Sequence, residues 1–139
     1  MSDPGDALAK AALALVGCPF RLHGRDPVTG LDCVGLVAAA LAATGRRPAA
    51  LTGYGLRNIG VDQWLPLASP SGLEPASAPV CAGDVLLFAL GFAQHHLVIA
   101  ADASSVIHAH AGLRRVVRQP RDPAWHICAM WRIAANPES

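Results

Sequence analysis

Apolar and polar positions divide the chain into two regions with different periods. Leu8, Ala12, Leu15 and Val16 recur at helical spacing between Asp6 and Val16, and Gly17 with Pro19 stops the run, which predicts a first helix. Residues 17 to 31, rich in glycine and proline around Arg25-Asp26, predict an irregular loop. From Cys33 to about Thr44 apolar residues fall on nearly every face, so this second helix is expected to be central and buried. Gly45 is its stop, and Arg46-Arg47 near the C-terminal end complements the helix dipole.

The segment from Pro48 to Pro79 is rich in Gly and Pro, with one possible short helix around Asn58 to Leu67. A connection of that length is expected to be a functional wall or lid, or else a packed surface loop. Beyond it the pattern changes to short apolar runs and alternation. Val85 to Ala89, His96 to Ala101, Val106 to Ala109, Leu113 to Val117 and His126 to Ile133 read as five strands joined by turns. Helices first and a strand meander afterwards predict an α+β fold, with helices packed on a five-stranded antiparallel sheet.

Composition narrows the class. A chain of 139 residues, 53% hydrophobic and 15% charged, is expected to be a single domain, 1–139, around one core. The net charge of +1, with Arg46-Arg47 and Arg114-Arg115 as adjacent basic pairs, argues against nucleic-acid binding. The uncharged run from Val85 to Ala101 contains Gly91, Gln94, His95 and His96 and reads as two strands, so no membrane span is expected. The acidic N-terminus lacks the basic region of a secretory signal, which leads to the expectation of cytoplasmic synthesis without a signal peptide. Cys18, Cys33, Cys81 and Cys128 lie far apart with no C-x-x-C pair, so no metal site and no cofactor are expected. Cys18, Cys81 and Cys128 are expected to be free and buried.

Cys33 is different because it begins a helix. Unpaired N–H groups and the positive dipole end favour a thiolate there, and cysteines so placed reach pKa values of roughly 3.5 to 7.5. The same N–H groups point at an oxyanion formed on whatever the sulfur attacks. If the strands around residue 102 form a hairpin centred on Asp102, His96 and His108 face each other on one side of the sheet, while His95 points to the opposite face. Roles follow from the atoms: Cys33 as nucleophile, His96 as base, and His108 orienting His96. Asp32 is expected to cap the helix or to contact a substrate amine.

The runs Gly17-Cys18-Pro19-Phe20-Arg21, Leu31-Asp32-Cys33-Val34-Gly35-Leu36-Val37, Gly83-Asp84-Val85, His96-Leu97-Val98-Ile99 and Ile107-His108-Ala109 resemble the NlpC family of papain-like cell-wall cysteine peptidases. The resemblance spans residues 6 to about 133. It implies catalytic Cys33, His96 and His108, and a peptidoglycan stem peptide as substrate, cut between γ-D-glutamate and a diamino acid. The family's usual tyrosine after the proline is Phe20 here, and the serine that commonly follows the nucleophile is Val34, which leaves substrate choice open.

A domain of this kind without a signal or targeting module resembles the subgroup found in tail tips of phages and gene transfer agents. That subgroup implies tail-tip or hub proteins as partners and action from the particle on the periplasmic wall. Alternatives are a catalytically silent tail-tip component and an amidase or acyltransferase using the same thiol. Phe20, His23, Arg25 and Trp64 are candidate cleft residues beside Asp32; His126 is expected to face solvent.

Overall fold

The computed structural model describes residues 3–46, 68, 70–91 and 94–134. The possible helix at Asn58 to Leu67 and the candidate Trp64 lie outside the described residues, as does most of the long connection.

Helix α1 runs from Pro4 to Leu13. Its start is earlier than the apolar spacing implies because Asp3 is the cap: its carboxylate accepts from the N–H of Gly5 at 3.0 Å, and Pro4 occupies the first turn, where no N–H is required. Its end is also earlier. Leu15 and Val16 donate to the carbonyls three residues back, Ala12 and Leu13, so the last apolar positions belong to a tightened turn.

The loop that follows is more ordered than expected. Strands β1 (Arg25–Asp26) and β2 (Gly30–Leu31) pair antiparallel, and Pro19 forms an isolated bridge with Arg115. Helix α2 spans Cys33–Ala43 and is buried along most of its length. Gly45, at φ 89°, donates to Ala42 while Arg46 donates to Leu41, the double bond of a Schellman ending.

All five expected strands are present, and a sixth joins them. Strand β3 (Leu73–Pro75) precedes β4 (Val85–Gly91), β5 (Gln94–Ala100), β6 (Ser105–His110), β7 (Arg115–Pro120) and β8 (His126–Ile133). They form one antiparallel sheet of order β3-β8-β4-β5-β6-β7. Among the described residues the sheet therefore has six strands rather than five. Three residues ending in proline give no periodic signal, and proline is tolerated there because β3 is an edge strand. Leu113, 51% exposed, lies in the turn before β7 rather than in the strand, with Arg114 beside it at φ 59°.

Both faces of the sheet are covered. On one, Val85, Leu87, Leu97, Ile99, Ile107 and Trp131 pack with Leu8 and Ala12 of α1 and Leu36, Val37 and Leu41 of α2. On the other, Leu86, Phe88, Val98, Ala100, Val106 and Met130 form a smaller cluster edged by Trp125 and Ile127. Two-sided burial explains why β4 reads as a continuous apolar run rather than as an alternation. At its start, the buried Asp84 is held by Arg132 of β8 through bonds of 2.9 and 2.8 Å. Among the described residues no helix is long and apolar enough to cross a membrane.

Candidate active site

Asp32 builds the start of α2, next to Cys33. One carboxylate oxygen accepts from the N–H of Gly35 at 2.8 Å and from Arg25 at 3.0 Å; the other accepts from the N–H of His23 at 2.8 Å. Asp32 thus caps α2 and at the same time ties the loop carrying His23 and Arg25 to the residue before Cys33. Asp32 is 2% exposed and caps α2, as expected. Gly35 makes the clamp possible, because a Cβ at this position would run into the carbonyl oxygen of Gly24.

Phe20 is half-buried against the larger core cluster and forms a parallel bridge with Leu31. Arg25 is partly exposed and paired with Asp32, and His23 is exposed in a left-handed conformation, φ 62°. The loop thereby gathers Phe20, His23, Arg25 and Asp32 around the start of α2. Val34 is buried in the core.

The two histidines come together by a different register from the one expected. Pairing of β5 with β6 is Ile99 to Ile107 and Ala100 to Val106, which, continued, sets His110 level with His96. The turn is longer because the Asp102 carboxylate accepts from the N–H groups and hydroxyls of both Ser104 and Ser105, at 2.8 to 3.1 Å, and so moves the centre of the hairpin to residue 103. Shifting the partner by two residues leaves every side chain on its original face. His96 and His108 remain on one face as diagonal neighbours, with His96 Nε2 2.8 Å from His108 Nδ1. The other nitrogen of His108, Nε2, is 2.7 Å from Gln119 Oε1 on β7. The Trp125 ring stands edge-on to His108, 6.1 Å between centroids, and also lines an open groove of about 690 Å³ with Ser104, Arg121, Asp122, His126 and Ile127. His126 is exposed, as expected.

Cys33 meets the histidine-bearing strand through its thiol. α2 packs on β5 and β6, and the N–H groups of Leu97, Val34 and Cys33 itself are directed at the sulfur. Leu97 follows His96, so the thiol abuts the strand that carries the imidazole. The expected lowering of the thiol pKa is reversed: burial, aided by the negative charge of Asp32, pushes Cys33 up to about 12 against the lowering effect of these N–H groups. Burial, with His108 and His110 nearby, brings His96 down to about 3, and burial also lowers His108. The thiol and both imidazoles are therefore neutral at rest.

The three other cysteines all depart from expectation: Cys81 and Cys128 are exposed, and Cys18 is half-buried. Cys128 falls where the β4–β8 register slips between Leu87 and Phe88, an irregularity with no signature in the apolar pattern. Gln119 and Trp125 were not among the residues the sequence singled out for the site. The alternation of β7 could have indicated Gln119, since it pairs with Val106 on the histidine face. Among the described residues no group of three His, Cys, Asp or Glu side chains is placed to hold a metal ion.

This arrangement of helix, loop and antiparallel sheet is the NlpC/P60 papain-like fold. The chain is similar to the NlpC/p60 domain of the peptidoglycan hydrolase SagA, at 26% identity over 85% of this chain and 90% of that one, TM-score 0.59. It is also similar to the P60 domain of an antigen from M. avium subspecies paratuberculosis, at 20% identity over 95% and 96% of the two chains, TM-score 0.63. NlpC2 from Trichomonas vaginalis superposes with a TM-score of 0.69 at 16% identity over 96% of this chain, which spans about half (49%) of the length of that protein. No protein-family model and no curated protein matches the sequence.

Proposed function

We propose that the chain is a cysteine endopeptidase of the bacterial cell wall that cuts peptidoglycan stem peptides, with Cys33 as nucleophile, His96 as base and His108 as orienter. The observation that carries this reading is the contact with His108 made by His96, which lies on the strand whose Leu97 N–H meets the Cys33 thiol. The likeness to the hydrolase domain of SagA supports the substrate class.

The chemistry follows from the neutral resting state. His96 Nδ1 takes the thiol proton as Sγ bonds to the scissile carbonyl carbon, so thiolate and imidazolium form only as they are used. N–H groups at the start of α2 receive the oxyanion. Collapse breaks the C–N bond, the amine leaves with the proton held by His96, and water, deprotonated by His96, hydrolyses the thioester. The bond cut is that between γ-D-glutamate and a diamino acid. The setting is the tail tip of a phage or gene transfer agent, with hub proteins as partners and the periplasmic wall as target.

Digestion of purified sacculi under reducing conditions tests the reading. Wild-type protein is expected to release muropeptides with new amine termini and Cys33→Ala none; absence of release by wild type would overturn it. A silent tail-tip component is the second reading, favoured by Phe20 in place of a hydroxyl-bearing residue and by the raised thiol pKa. An amidase or acyltransferase would be separated by its products.

A further inference from the structure

We propose that Gln119 is a positioning residue that sets the direction of the hydrogen bonds running through His108 to His96, and thereby leaves His96 Nδ1 as the unprotonated nitrogen. The proposal rests on the function given above for Cys33 and His96.

The argument is one of proton counting. Two neutral imidazoles joined through His96 Nε2 and His108 Nδ1 share one proton, which either ring can supply. If His108 supplies it, His96 must carry its own proton on Nδ1 and cannot take another there. If His96 supplies it, Nδ1 is bare. The pair alone does not choose.

Gln119 chooses. Its Oε1 has only lone pairs to offer, so at 2.7 Å it must accept a proton from His108 Nε2. A neutral His108 protonated at Nε2 has a bare Nδ1, which accepts from His96 Nε2. The same chain holds when His96 becomes an imidazolium, because Nε2–H still faces an acceptor. Gln119 is placed for this by the edge strand: β7 pairs Val106 with Gln119 and His108 with Val117, which makes Gln119 a diagonal neighbour of His108 on the histidine face. His110, 5.4 Å from His108 between centroids, does not compete, since its Nδ1 accepts from the N–H of Leu113 at 3.1 Å.

The test is the tautomer of each ring, read by long-range proton–nitrogen NMR on histidine-labelled protein near neutral pH, beside the alkylation rate of Cys33 by iodoacetamide. In wild type both His96 and His108 are expected to be protonated at Nε2. In Gln119→Leu, His108 is expected to populate the Nδ1-protonated form and Cys33 alkylation to fall by about tenfold or more, as when a triad imidazole is left in the wrong tautomer. Gln119→Glu keeps an acceptor, so it should restore both tautomers, with the titration of the imidazoles moved to higher pH by its charge. A merely structural residue would lower the melting temperature of the Leu variant and leave the tautomers in place. His108 protonated at Nδ1 in wild type, or unchanged tautomers and alkylation in Gln119→Leu, would overturn the proposal. The tautomer readout needs no substrate, so failure of the peptidase reading would show separately, as wild-type protein inactive on sacculi with the relay intact.

Discussion

His96 Nε2 lies 2.8 Å from His108 Nδ1, with the two rings nearly perpendicular at 83°, although the Ile99–Ile107 register of their hairpin, continued, would set His110 level with His96. The contact is diagonal and so depends on ring orientation as much as on strand register. His108→Ala is expected to lower kcat on a stem-peptide substrate by about tenfold or more with KM little changed, since the lost bond orients the base rather than the substrate. Steady-state kinetics on His108→Ala checks this; an unchanged kcat would remove His108 from the mechanism.

The reactivity of Cys33 is expected to depend on His96. A thiol held at about 12 is thiolate in only about one part in 10⁵ at neutral pH, far less than an ordinary cysteine. Iodoacetamide should nevertheless label Cys33 faster than the exposed Cys81 and Cys128 in wild type, because the forming thiolate raises the proton affinity of His96 above its resting value and the two groups ionise together. In His96→Ala that order should invert. Equal rates in the two proteins would favour the silent reading.

The register of the histidine hairpin shows where sequence reasoning reached and where it stopped. Alternation fixed the shared face of His96 and His108, because parity survives a shift of two residues. It did not fix their pairing, which depends on how many residues the Asp102 turn consumes. The helix carrying Cys33 was readable from Asp32, the apolar run and Gly45, each of which acts locally. The thiol pKa was not, because it depends on burial by distant elements, and that burial outweighs the helix end. Gln119 was missed for a related reason: one polar residue on an edge strand is ordinary until its partner across the sheet is known.

Stability is expected to fall in acid. His96 has a native pKa of about 3 against an ordinary 6.5, so between these values the unfolded chain binds a proton that the native state excludes. Unfolding then takes up protons, and stability drops as pH falls through that window. Cys33 adds a basic limb: its native value of about 12 against 9.0 means that stability falls as pH rises above about 9. Calorimetric melting temperatures across pH should show both limbs, with the acid limb shallower in His96→Asn. An acid limb of equal slope in that variant would contradict the assignment.

Asp32→Ala should cost about 2 to 3 kcal/mol, since it removes a helix cap and leaves Arg25 without the pair it makes to a buried carboxylate. Asp32→Asn retains a capping oxygen and should cost less. Urea denaturation measures both; a loss within about 0.5 kcal/mol for Ala would show the clamp to be dispensable.

Gly35→Ala should destabilise the fold by about 1 to 3 kcal/mol, because its Cβ meets backbone, the Gly24 carbonyl, and the loop must move as a unit. The same movement would pull His23 and Arg25 from Asp32. Loss of the Arg25–Asp32 pair in a crystal structure of the variant, together with the lowered urea midpoint, is the expected result; an unshifted loop would contradict it.

The claim that Cys33 forms the covalent intermediate is tested most directly by trapping it. Wild-type protein mixed with a synthetic stem peptide, quenched in acid and mapped by mass spectrometry is expected to carry the acyl fragment on the peptide containing Cys33, while Cys33→Ala carries none and does not cleave. Cleavage by Cys33→Ala at the wild-type rate, or an acyl group on another residue, would contradict the account.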